Sequence, residues 1–188
     1  MFRWGIVVDL AGQAFFILVA LALYHLLKAV DNKVALLMLV LLLVSIPIAF
    51  LNELNSIAAL QMARGADTLS VFDESQRVAW MRLFLNLRGA GFDVAGIFWG
   101  LWLFPLGWLV YRSGFIPRVL GVLLMVGCFA YLANSVASLA LPQVADAVSR
   151  WASPVQLVEM LFMLWLLIVG AVPKVSAEET TPCIPSRV

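Results

Sequence analysis

Asp9, Glu53, Arg88, Asp93 and Glu159 each stand inside or at the edge of a long apolar run. A charge in hydrocarbon is costly, so such residues face a partner, a wet cavity or a ligand. Gln13, Asn52, Asn55, Asn86, Asn134 and Gln156 accompany them. Counted at about 1.5 Å per residue from the basic end of each run, nearly all fall in one half of the membrane. Asp9, Glu53 and Asp93 come out near its boundary, Glu159 about 10 Å below it, and Gln13 and Asn134 between. The chemistry such a set could do is binding. Glu159 would floor a polar pocket open to one face, Arg88 would be its charge partner, and Gln13, Asn134 and Asp93 would be its walls. A plainer reading puts Asp9, Glu53 and Asp93 among the headgroups, where long polar side chains snorkel. The amides then bond helix to helix. Glu159 is expected to be buried under either reading, as a structural bond or as a real site.

Other chemistries find no residues to carry them. His25 is the only histidine and adjoins Lys28, so haem or zinc held by several histidines is excluded. No His-Glu-x-x-His, Gly-x-Ser-x-Gly or Gly-x-x-x-x-Gly-Lys pattern occurs. Ser135 and Ser138 have no histidine at matching depth, and a Ser–Lys pair lacks a buried lysine. No catalytic residue, metal ligand or cofactor is expected, and carboxylate chemistry at Glu159 is the one enzymatic route left open. Cys128 lies in an apolar run and Cys183 in the polar tail, which argues against a disulfide framework.

These residues must be positioned by membrane helices. The chain has 188 residues, 64% hydrophobic and 12% charged, with mean hydropathy +1.02. Soluble domains run at about 45–50% apolar and about 25% charged. Spans of about twenty apolar residues cross a core of about 30 Å, and backbone in lipid must satisfy its own hydrogen bonds. The expectation is an all-α, polytopic bundle of five transmembrane helices at roughly 4–27, 34–60, 89–111, 116–141 and 154–173. Asp73-Glu74-Ser75-Gln76 reads as a helix start with a capping box. The stretch after it mixes Trp80, Leu83 and Phe84 with Arg77, Arg82 and Arg88. An interfacial amphipathic helix over 75–88 is therefore expected, breaking at Gly89-Ala90-Gly91, with one long tilted helix as the alternative. Residues 142–153 read as a connection and 174–188 as a disordered tail. No internal repeat supports a transporter built from inverted halves.

Lys28, Lys33, Arg112, Arg118 and Lys174 crowd short loops at one end. The positive-inside rule places that end in the cytoplasm of a cell whose plasma membrane the chain crosses, with the N-terminus outside. Trp4, Trp80 and Trp151 on one side, and Tyr24, Trp108 and Tyr111 on the other, fit aromatic belts. Net charge is +1 and no nucleic-acid partner is implied. Partners are membrane lipids, with a membrane protein or a second copy as candidates. Gly96 and Gly100 allow close helix approach, either within the bundle or between copies.

The run Leu103-Phe104-Pro105-Leu106-Gly107-Trp108-Leu109-Val110-Tyr111-Arg112-Ser113-Gly114-Phe115-Ile116-Pro117-Arg118 resembles the bacterial membrane family known as domain of unknown function 4386. Leu21-Ala22-Leu23-Tyr24-His25-Leu26-Leu27-Lys28 and Leu164-Trp165-Leu166-Leu167-Ile168-Val169-Gly170 are similar to the same family. The resemblance implies a polytopic protein of the bacterial inner membrane and no particular activity. It also implies a further hydrophobic segment ahead of Trp4, so the chain resembles a shortened member. In the family pattern the position of Arg88 is more often histidine and that of Asp93 uncharged. On these grounds the chain is expected to be a non-catalytic membrane subunit or accessory protein. The alternative is a protein binding a small molecule, lipid or ion in the pocket around Glu159.

Overall fold

The computed structural model describes residues 2–65 and 71–170. They form six helices: α1 (Phe2–Leu27), α2 (Asn32–Arg64), α3 (Glu74–Ser113), α4 (Arg118–Ala140), α5 (Pro142–Gln156) and α6 (Val158–Val169). No strand occurs among the described residues, and the fold is an all-α bundle. Helices α1 to α4 are each long and apolar enough to cross a membrane, and α5 with α6 makes a fifth such unit. The expected tail and the end of the fifth span lie outside the described residues.

Local sequence sets the turns. Asp31 caps α2, accepting from the amides of Lys33 and Val34 at 3.0 and 3.2 Å. The Tyr24 hydroxyl donates to Asn32 Oδ1 at 3.0 Å across the same turn. Gly114 ends α3 at φ 72°, a left-handed conformation that favours glycine. At this Lys28 end, Arg112 lies over the Trp108 ring and Arg118 over Tyr111.

Helices adjacent in sequence are adjacent in space, in the order α1, α2, α3, α4 and then the α5–α6 unit. The interior near the Lys28 end is wholly apolar, with Leu27, Met38, Leu106, Leu109 and Val110 all buried. Helix α3 meets α4 most closely where Gly107 faces Gly121. A Cβ on Gly107 would stand 2.6 Å from the Gly121 carbonyl oxygen, and one on Gly121 would stand 2.7 Å from that of Gly107. The two backbones are in contact there.

Two expectations need correction. Residues 75–88 are not a separate interfacial helix: α3 runs unbroken for 40 residues, about 60 Å at 1.5 Å per residue. Gly91 does not break it, and a Cβ there would overlap the Asn52 amide. The glycine serves a close approach of α2. Residues 142–153 are not a loop either, since α5 begins at Pro142, a residue suited to a first helical turn. The polypeptide yields instead at Leu157, between α5 and α6.

The capping box at Asp73 is present as read. Its carboxylate accepts from the Ser75 hydroxyl at 2.7 Å and the Gln76 amide at 2.8 Å, and Gln76 Oε1 accepts from the Asp73 amide. The Ser75 hydroxyl first, and then the Gln76 amide, hold the Asp73 carboxyl below its ordinary value of 3.8. A depressed folded value means that the stabilisation is present above the unfolded value and is lost as pH falls through the folded one. Asp73→Ala is expected to fray the first turn of α3 at neutral pH, lowering hydrogen-exchange protection at Gln76 and Arg77. Wild type should lose the same protection only below about pH 4.

Candidate functional site

Three helices converge on one guanidinium. Arg88 Nη2 donates to Asp9 Oδ2 at 2.8 Å and meets Glu53 Oε1 at 3.3 Å. The Arg88 guanidinium also stacks on Phe92, 4.7 Å from the ring centroid. The site is therefore asymmetric. Side-chain exposure is 45% for Asp9 and 31% for Arg88, but 4% for Glu53. Asp9 is half-exposed, whereas Glu53 depends on what the protein gives it. Beside them Asn52 donates to the Arg88 carbonyl at 2.9 Å and accepts from the Asn55 amide at 3.1 Å. This bond fixes the Arg88 turn against α2, and Gly91 leaves room for it.

Across α3, a second set of polar groups faces α4. Asp93 lies beside the Ser138 hydroxyl, and a Cβ on Gly96 would stand 2.7 Å from Ser135 Oγ. Deeper, the half-buried Glu159 of α6 lies against the Tyr131 hydroxyl of α4. Tyr131 is seated over Gly100, where an added Cβ would come within 3.0 Å of Tyr131 Cβ.

The site residues read from sequence thus divide. Asp9, Glu53 and Arg88 come together, and Arg88 finds its charge partners in them rather than in Glu159. Five residues of helix, at about 100° each, turn Asp93 about 140° away from Arg88. One faces α1 and α2 while the other faces α4. Gln13 follows Asp9 by one turn on α1, and its Oε1 is buried with no protein donor. Asn134 Oδ1 on α4 is in the same condition. No single pocket joining Glu159 with Arg88, Gln13, Asn134 and Asp93 follows from these contacts. The Gly96–Gly100 face is covered by α4 within the chain. Sequence reasoning passed over Tyr131 and Ser138 as partners. Spacings of 131, 135 and 138 along α4 mark a one-sided polar stripe and could have pointed to them.

Chemically, the Arg88 cluster is an ion-pair node joining α1, α2 and α3. No group of three His, Cys, Asp or Glu side chains suited to a metal ion occurs among the described residues. A protein of Archaeoglobus fulgidus, named only as an uncharacterized protein, is 33% identical over 90 residues. The match covers 48% of this chain and 51% of that protein, so the chain spans about half the length of the curated relative it matches. No solved structure matches. The family model described as "Domain of unknown function (DUF4386)" matches residues 1–170, and the chain belongs to that family.

Proposed function

We propose that the protein is a non-catalytic accessory subunit of the cell membrane, crossing it five times with its N-terminus outside and its C-terminus in the cytoplasm. The observation that carries this reading is the hairpin of α2 and α3. A 40-residue α3 is about twice as long as a 30 Å core requires. Beyond the Arg88 turn it still exposes Trp80, Leu83 and Leu87 on one face, each more than 40%. Exposed apolar side chains grouped on an emergent helix mark a surface that a partner covers. Transport finds less support, because the interior toward the Lys28 end holds only apolar side chains. The alternative pocket around Glu159 is weakened by the commitment of Arg88 to Asp9 and Glu53.

The test is photo-crosslinking in native membranes, with a crosslinker replacing Trp80 or Leu83 and, as a lipid-facing control, Val119. A single protein adduct of fixed size from the first two positions, and none from Val119, is expected. Lipid adducts alone from all three would put the hairpin in the bilayer and end the subunit reading.

A further inference from the structure

Glu53 is the most enclosed charge in the described chain, 3% exposed on α2. One of its oxygens takes the Arg88 guanidinium; the other, Oε2, is buried and receives no protein donor. Asp9 draws on the same guanidinium nitrogen as Glu53, so the two carboxylates are neighbours held by one cation. Their charges and that of Arg88 sum to minus one. No second basic side chain forms an ion pair with either carboxylate among the described residues. An uncompensated charge beside hydrocarbon is costly, and the unclaimed oxygen of Glu53 shows where compensation is wanted. Gln13, on the bundle-facing side of α1 one turn from Asp9, offers a second buried oxygen without a donor.

We propose that Glu53 Oε2, supported by Gln13 Oε1 and water, binds one small monovalent cation, sodium or potassium. Oxygen donors alone suit a hard cation. A single surplus negative charge suits a monovalent one, whereas calcium and magnesium sites draw on more carboxylates or on phosphates. Arg88 then acts as the fixed charge that keeps both carboxylates in place. Its Nε, buried without an acceptor, can donate to the second lone pair of an ion-bound water. The half-exposed Asp9 leaves an open approach from the Arg3 end.

The experiment uses the full chain in lipid nanodiscs, melted in sodium, potassium or choline chloride at constant ionic strength. A ligand bound only by the folded state raises the midpoint with each increment of its concentration above Kd. Wild type is expected to gain stability in sodium or potassium relative to choline, the larger gain naming the ion. Glu53→Gln should abolish that difference. Should this variant not fold, Gln13→Ala is the second test. It should keep the fold and raise the half-saturating ion concentration about tenfold, the loss of one ligand. Equal melting of wild type in all three salts would overturn the proposal, and so would an unchanged ion response in either variant. A midpoint that follows pH but no metal cation would overturn it too, since a proton then supplies the missing charge.

Discussion

Replacing Arg88 with alanine is expected to cost about 3 kcal/mol of folding stability, at the low end of the range for a broken buried ion pair. The low end applies because Arg88 is itself 31% exposed. Most of the cost comes from Glu53, which is left with no donor on either oxygen inside the bundle. Asp9 contributes less, since its side chain is 45% exposed, and Asp9→Asn should cost about 1 kcal/mol or less. The double replacement Glu53→Leu with Arg88→Leu removes the stranded charge together with its partner, and should recover most of what Arg88→Ala loses. Unfolding by titrated SDS in mixed micelles, followed by tryptophan fluorescence, ranks the four proteins. An Arg88→Ala protein within about 1 kcal/mol of wild type would show that Glu53 does not rely on Arg88.

The crossing of α3 and α4 should be as sensitive. Gly107→Ala places a methyl group against the Gly121 carbonyl, where there is backbone on one side and the Met125 turn on the other. Overpacking typically costs about 1–3 kcal/mol, and a backbone atom cannot rotate away as a side chain can. Gly107→Leu should exceed that range and part the two helices at their Lys28 end. Gly12→Ala is the control: nothing lies within 4 Å of its added Cβ. Alanine there should leave stability unchanged or raise it by up to about 1 kcal/mol. If Gly107→Ala and Gly12→Ala unfold alike, the contact at Gly121 does not hold the hairpin together.

Much of the architecture could be read from residue order alone. The apolar runs gave five units long and apolar enough to cross a membrane, and the Asp73–Gln76 spacing gave the start of α3. Both signals are local. What failed depended on neighbours. Gly89-Ala90-Gly91 looks like a break when only propensity is weighed, yet Gly91 is where Asn52 approaches the Arg88 turn. Pro142 looks like punctuation until its place in a first helical turn is recognised. Depth along the membrane was read closely enough to set Asp9 and Glu53 near one level. Depth says nothing about which way a side chain faces, and so Arg88 was paired with Glu159. The angular step from Arg88 to Asp93 was available in the sequence and separates the two faces of α3.

The ion-pair node has a consequence for how the chain is made. Each helix packs on the one synthesised just before it, so assembly can proceed in order with little loop closure. The acidic members of the node emerge early, however, and wait for their cation. Arg88 lies 35 residues after Glu53 and 79 after Asp9. At about 5–20 residues per second, Asp9 spends several seconds in the membrane region before its partner is made. Until then α1 and α2 hold carboxylates without a countercharge, and cannot settle fully against each other in lipid. Arrival of α3 gives both the one cation they share, so the first three helices lock as a unit and α4 is the first to dock on a finished surface.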